Sequence, residues 1–135
     1  MKNKRILIVS QVFWPENFKI NDLLSDLIKK GYDITILTGK PNYPKGEFYD
    51  GYSFFSKNND LFKGAKIIRV PIITRGNGSG IRLSLNYLSF AFFGSLFALF
   101  HWRRYDFSLV FGVSPITAAI PAIIHRIIYK TKMIL

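Results

Sequence analysis

Short apolar runs alternate along this chain with segments whose apolar residues recur at helical spacing. Two of these runs, Ile6 to Val9 and Ile34 to Leu37, have the length and character of strands buried on both faces of a parallel sheet. Between them, apolar residues follow a helical period from Ile20 to Ile28, and Gly31 comes just after two lysines, as helix ends favour. The three segments predict a βαβ unit with a right-handed crossover.

The second half of the chain continues the alternation. The pattern predicts strands over 66–70 and 106–111, helices over 81–101 and 116–129, and the opening of a further strand over 132–135. This order predicts an α/β fold with a Rossmann-like, doubly wound and mostly parallel sheet. Because the sequence stops on a bare apolar strand with no polar tail, we expect a truncated domain.

Ligands bind such sheets at the carboxyl ends of the strands, so the loops after the strands carry the candidate chemistry. They are residues 10–17, 38–48, 71–80 and 112–115. The whole stretch 38–65 has no clear period, and so long a loop in a compact domain is expected to be functional or mobile. Neither the glycines of a dinucleotide fingerprint nor a Walker A sequence is present, so NAD and FAD are not expected as cofactors.

The first three loops each have a functional interpretation and a plain structural alternative. In the first loop, Trp14 can pack on a sugar ring while amide and carboxylate groups bond its hydroxyls; alternatively, the loop only leads into the helix and buries Trp14 in the core. The second loop is stiffened by prolines and carries two lysines, which suits the binding of a phosphate or a sugar. The alternative is an ordinary surface loop. The third loop contains the glycine-rich segment Gly76 to Gly80, between Arg75 and Arg82. It exposes backbone N–H groups before a helix, which suits the binding of a diphosphate. The alternative is a flexible linker.

Charge is distributed unevenly along the chain. The net charge is +11, and residues 61–135 carry ten Lys or Arg against the single acid Asp106. Such a field favours an anionic partner, and because the basic half is also the apolar half, an anionic membrane surface is preferred over nucleic acid. The segment from Leu88 to Phe100 has no charged residue, which leaves open a buried core helix, a helix dipping into one leaflet, or a spanning helix.

Several kinds of site are not expected. The chain has no cysteine, which excludes disulfides and thiolate metal sites. His101 and His125 are far apart without ligand spacing, so no metal site is predicted. The apolar run after the basic N-terminus is too short for a signal peptide. The acids form no obvious catalytic pair, so the residues alone predict binding loops and no reaction centre.

Taken together and in order, several stretches resemble bacterial family 4 glycosyltransferases, in the subgroup that builds colanic acid, O-antigen and capsule and includes fucosamine-transferase-like members. The stretches are Ser10-Gln-Val-Phe-Trp-Pro-Glu16, Asn21-Asp22, Leu37-Thr-Gly-Lys-Pro-Asn-Tyr-Pro-Lys-Gly46, Arg69-Val-Pro71, Arg75-Gly-Asn-Gly-Ser-Gly-Ile-Arg82, Asn86-Tyr-Leu-Ser-Phe90 and Ser114-Pro-Ile116. The resemblance implies a metal-independent GT-B enzyme, in which an N-terminal domain holds the acceptor and a C-terminal domain holds the nucleotide-sugar donor.

By this resemblance, residues 1–135 are the acceptor-side domain, and the donor domain, with its paired-glutamate motif, is expected beyond them. We therefore expect no cofactor in this domain and no activity from it alone, and we assign no catalytic residue. The expected partners are a lipid-diphosphate-linked sugar acceptor, the missing domain and an anionic membrane, with a cytoplasmic location peripheral to the inner face of the plasma membrane. The expected acceptor-binding residues are Gln11, Trp14, Pro15, Glu16, Asn21, Asn42, Tyr43, Arg75, Gly76, Asn77, Gly78, Arg82 and Ser114. The alternative is a non-catalytic basic α/β module that binds membrane or nucleic acid.

Overall fold

The computed structural model of the chain describes residues 3–56, 61–112 and 116–134. In these ranges six strands form one sheet, with helices on both of its faces. The strands are β1 (Arg5–Val9), β2 (Asp33–Gly39), β3 (Leu61–Phe62), β4 (Ala65–Val70), β5 (Phe107–Val110) and β6 (Lys132–Ile134). The helices are α1 (Ile20–Lys29), α2 (Gly80–Phe100) and α3 (Ile120–Tyr129), with a short 3₁₀ helix, Ile116–Ala119, before α3.

The sheet has the strand order β3-β4-β2-β1-β5-β6. All neighbouring strands are parallel except β3, which pairs antiparallel with β4 at one edge. The prediction of an α/β fold with a mostly parallel, Rossmann-like sheet is therefore confirmed. Leaving β1, the chain moves outward through β2 and β4 and then crosses back to β5, so the strand order reverses between β1 and β5. Ligands bind at such a switch point, beyond the carboxyl ends of the strands.

Side chains of the central strands alternate between two cores. Leu7 and Val9 of β1 join the core under α2 and α3, whereas Ile6 and Ile8 join the core under α1. Since successive residues of a strand point to opposite faces, a continuous apolar run fills both cores at once. This explains why β1 and β2 were predictable from their composition.

Two local features differ from the sequence prediction. The two-residue strand β3 lies in the stretch expected to be an irregular loop, and residues this few carry no periodic signal. A tight turn through Lys63 and Gly64, both with positive φ, joins β3 to β4. The segment 116–129 begins as a 3₁₀ helix, and Pro121 lies in the first turn of α3, where its missing N–H costs no helical hydrogen bond.

Helix α2 packs against α3 and the sheet through small side chains. A Cβ added at Gly94 would lie 2.7 Å from Cγ of Pro121, so the two helices approach closely there. By length and composition α2 could cross a membrane, with a mean hydropathy of 1.6 over its most apolar window, and 33% of that window is buried. The helix is thus buried along one side only.

Candidate functional site

A hollow of about 240 Å³ lies at the switch point of the sheet. Residues from the loops after β1, β2 and β4 line it together with side chains from α2, from the end of β5 and from the 3₁₀ helix. These residues are Gln11, Val12, Phe18, Tyr43, Arg75, Tyr87, Phe111 and Ala118. The structure therefore brings three of the four predicted loops to one concavity.

The carboxylate of Glu16 ties the first loop to the second. Glu16 is 2% exposed, and its Oε1 accepts hydrogen bonds from the backbone N–H groups of Asn42 at 2.8 Å and Tyr43 at 3.0 Å. Burial raises the pKa of Glu16 above its ordinary value, while these backbone N–H groups and the nearby Arg69 oppose that rise. Glu16 is predicted to contact the acceptor, and in the structure its Oε1 holds Asn42 and Tyr43 in place while its Oε2 accepts a long bond from the N–H of Phe13.

The second and third loops are joined through Asn42 and a pair of glycines. Oδ1 of Asn42 accepts a hydrogen bond from the backbone N–H of Arg75 at 2.9 Å, and the carbonyl of Gly46 accepts one from Gly76 at 3.1 Å. Gly46 has φ +78°, and a Cβ there would lie 1.9 Å from the carbonyl oxygen of Gly76. Only glycine permits this approach, which sets Arg75 beside Tyr43.

A polar pair connects the first loop to α2. Nε2 of Gln11 donates to Oδ1 of Asn86 at 2.7 Å, and Nδ2 of Asn86 donates to the carbonyl of Ile73 at 2.7 Å. Asn86 is 1% exposed, so these bonds replace the water it would otherwise need. Within the described residues, Oε1 of Gln11 is buried and has no hydrogen-bond donor. Tyr43 and Tyr87 also line the hollow, and a phenol oxygen can accept a bond from a hydroxyl or amide of a bound molecule.

Arg75 supplies the positive charge of the hollow. Its guanidinium carbon lies 5.2 Å from the ring centroid of Tyr43 and 6.0 Å from that of Tyr87, so two aromatic faces hold it. No carboxylate is among the residues that line the hollow. The electrostatics therefore favour an anionic group such as a phosphate, which an arginine binds through paired N–H donors.

The glycine-rich segment before α2 caps that helix and does not line the hollow. Oδ1 of Asn77 accepts from the backbone N–H of Ser79 at 3.1 Å, and Oγ of Ser79 accepts from that of Arg82 at 3.3 Å. The guanidinium of Arg82 donates to Oγ1 of Thr74 at 2.8 Å and lies against Gly76. Phosphate binding by Arg82, Gly76, Asn77 and Gly78 stays a prediction, but these contacts show that the segment has a structural role.

Trp14 and Pro15 line a separate cavity of about 640 Å³, next to the second loop. Trp14 is 41% exposed, so the alternative that placed it in the core is wrong. Asn21 shapes the same loop from α1, since its Oδ1 accepts from the backbone N–H of Trp14 at 2.9 Å and its Nδ2 donates to the carbonyl of Glu16 at 2.8 Å. The remaining predicted residue, Ser114, lies outside the described residues.

Several residues of the site were not predicted as binding groups, among them Phe18, Tyr87, Phe111 and Ala118, which line the hollow, and Asn86, which supports it. Tyr87 and Asn86 sit on α2, many positions from the loops they join. The available signal was the amide of Asn86 inside a largely apolar helix, since a buried amide requires partners. Within the described parts of the chain, no cluster of three or more histidines or acids suited to a metal ion is found. The chain matches no protein-family model, and no curated protein is significantly similar to it.

Proposed function

We propose that this chain is the acceptor-binding domain of a GT-B glycosyltransferase that moves a sugar from a nucleotide-sugar to a lipid-linked or polysaccharide acceptor in cell-surface polysaccharide synthesis. The observation that carries the proposal is the hollow itself. Buried and partly buried hydrogen bonds tie three strand-end loops around it, and it presents one guanidinium and no carboxylate. The sequence resemblance supplies the reaction class.

The lining suits the diphosphate and first sugar of a lipid-diphosphate-linked acceptor. Arg75 provides the donors for phosphate oxygens, while the exposed ring of Tyr43 offers an apolar face to a sugar. The phenol oxygens of Tyr43 and Tyr87 can exchange hydrogen bonds with a sugar hydroxyl. We assign these residues to binding and none to catalysis.

The size of the hollow supports a role as half of a site. Complete small-molecule sites have volumes of about 300–1,000 Å³, and this one is smaller. A second domain that carries the nucleotide-sugar donor would close over it and complete the enclosure. The catalytic groups would then act at the boundary of the two domains.

Isothermal titration with geranyl-diphosphate-linked N-acetylglucosamine tests the proposal on the 135-residue chain. We expect saturable binding that Arg75→Gln weakens about tenfold or more, because a hydrogen-bonded charge contributes about 1.5–3 kcal/mol. Lys29→Gln removes the same charge from the exposed end of α1 and should leave binding unchanged.

Two results would contradict the proposal. One is binding that Arg75→Gln and Lys29→Gln weaken equally, since the net charge alone would then explain it. The other is tight, salt-dependent binding of a short DNA duplex without measurable binding of the sugar carrier, which would favour a nucleic-acid-binding module.

A further inference from the structure

Helices α2 and α3 expose an unusual amount of apolar side chain to solvent. Along α2, residues spaced by three or four positions form one exposed row: Leu85, Leu88, Phe92, Leu96 and Leu99, exposed by 39–60%. A second row runs from the 3₁₀ helix along α3: Ile116, Ile120, Ile123 and Ile127, exposed by 37–77%. We call these two rows the apolar face.

The two rows lie on neighbouring helices. Gly94 of α2 meets Pro121 of α3, and the hydroxyl of Tyr129 donates to the carbonyl of Leu99 at 3.1 Å. Trp102, just beyond the end of α2, is 78% exposed. Monomeric soluble proteins rarely leave large contiguous apolar patches in water, so a surface of this composition marks an interaction site.

Most charges around the apolar face are positive, and the carboxylate of Asp33 is paired with Arg103 just beyond the end of α2. Arg104, Arg126 and Lys130 are exposed near the ends of the two helices. The only acid after residue 60 is Asp106, whose carboxylate accepts a hydrogen bond from the backbone N–H of Arg5 at 2.7 Å. A second copy of the chain would bring one cationic surface against another, which disfavours a homodimer and favours an anionic partner.

Helix α2 is anchored to its own domain by polar contacts. Asn86 and Ser89 bond the segment that follows β4, through the carbonyl and the N–H of Ile73. Phe90 is fully buried in the core between α2 and the sheet. A spanning orientation would break these contacts and place the freed amide and hydroxyl in hydrocarbon, at a cost of several kcal/mol for each unsatisfied group.

We infer that the apolar face docks on an anionic lipid bilayer, with α2 and α3 lying in the plane of the interface. The two apolar rows enter the boundary between headgroups and acyl chains, Trp102 lies at headgroup level, and the flanking cations contact lipid phosphates. Of the three alternatives that the sequence left open for α2, this one accounts for both its buried and its exposed side.

The docked orientation would place the hollow close to the membrane. Tyr87 lines the hollow, whereas Leu85 and Leu88, on either side of it in sequence, belong to the apolar face. The hollow is therefore separated from the bilayer by about the width of one helix, ~10 Å. The inference rests on a different surface from the sugar-binding proposal, and either one can fail without the other.

Co-sedimentation with vesicles of mixed phosphatidylglycerol and phosphatidylcholine tests the docking surface. We expect binding to the mixed vesicles, weaker binding to phosphatidylcholine alone, and a decline as salt is raised. Phe92→Ser should lower the partition constant about tenfold, because a large apolar side chain no longer enters the bilayer. Arg104→Gln should lower it about fivefold.

Leu61→Ser is the matched control, since Leu61 is 69% exposed and lies on the edge strand β3, outside the apolar face. Its partition constant should equal that of the unsubstituted chain. Equal losses from Phe92→Ser and Leu61→Ser, or none from either, would overturn the inference. Circular dichroism of each variant verifies that the fold is retained.

A readout without substitutions in the apolar face uses Trp102. In a Trp14→Phe background, which leaves Trp102 as the sole tryptophan, its emission should shift to the blue on mixed vesicles and be quenched by lipids brominated near the headgroup. Emission unchanged by vesicles would contradict the inference. Light scattering without lipid provides a second check. A dimer that Phe92→Ser dissociates would also contradict the inference, because a second copy of the chain would then cover the apolar face.

Discussion

Removal of the Glu16 side chain tests whether a single buried carboxylate organises the site. In Glu16→Ala, the backbone N–H groups of Asn42 and Tyr43 lose an acceptor that lies 2.8 and 3.0 Å away. The bond from the N–H of Phe13, at 3.4 Å, is long and contributes little. A buried donor left without a partner costs about 1–3 kcal/mol, so two donors predict a loss of about 2–6 kcal/mol in the free energy of unfolding.

The matched variant is Glu16→Gln, which keeps Oε1 and removes the charge. Because burial already disfavours the ionised form, we expect this variant to lose no more than about 1 kcal/mol. Urea unfolding at neutral pH, followed by far-ultraviolet circular dichroism and extrapolated linearly to water, measures both changes. A loss below about 0.5 kcal/mol for Glu16→Ala would refute the assignment of Glu16 as the link between the two loops.

The pH dependence of unfolding, compared between the unsubstituted chain and Glu16→Gln, provides a second check on Glu16. Burial raises the folded-state pKa above the ordinary value of 4.5, so the folded chain holds this proton more tightly than the unfolded chain does. The corresponding stabilisation is present below pH 4.5 and is lost as the pH rises through the raised folded pKa. The stability difference between the unsubstituted chain and Glu16→Gln should follow that course, and a difference that stays constant across the window would contradict it.

Three further predictions concern other parts of the fold. Gly46→Ala should cost more than about 2 kcal/mol in urea unfolding, since the new Cβ would overlap the carbonyl oxygen of Gly76. Gly51→Ala has a similar φ but open space around the new Cβ, and it should cost only about 1 kcal/mol. Equal losses from the two variants would contradict the close approach of Gly46 to Gly76. Burial and then the neighbouring His125 lower the pKa of His101 from 6.5 to about 4, so the stability that neutral His101 contributes is present above pH 6.5 and is lost as the pH falls through about 4. His101→Phe should remove about 1–3 kcal/mol of this acid destabilisation. Identical pH profiles of stability for the variant and the unsubstituted chain would refute the prediction. Asn86→Leu should cost about 2–4 kcal/mol because it strips two buried groups of their partner, and a neutral result in urea unfolding would show that the pair is not formed.

The central strands of the sheet could be predicted from the sequence because each of them is a short, continuous apolar run. Ile6 to Val9 is buried on both faces, and a run of that composition is compatible with few other environments. Strand β3 could not be found in the same way, because two residues have no period and its pairing with β4 depends on the turn between them. The parallel order of the remaining strands followed from the alternation of strands and helices.

The site was only partly predictable, since the sequence indicates which loops meet but not which side chains face inward. Gln11, Tyr43 and Arg75 were expected and line the hollow. The contact of Glu16 with the acceptor stays a prediction, and the structure adds a buried supporting role that depends on the three-dimensional path of the second loop. Tyr87 was missed because a residue on a long apolar helix gives no local sign of the concavity it lines.

The central claim is that loops far apart in sequence form one binding surface for an anionic sugar carrier. A ¹⁵N NMR titration of the chain with geranyl-diphosphate-linked N-acetylglucosamine tests it most directly. We predict that the backbone amide signals of Gln11, Tyr43 and Arg75 shift together and fit one dissociation constant, while the signals of α1 stay in place. Shifts confined to a single loop, or loops that titrate with different constants, would contradict a shared hollow.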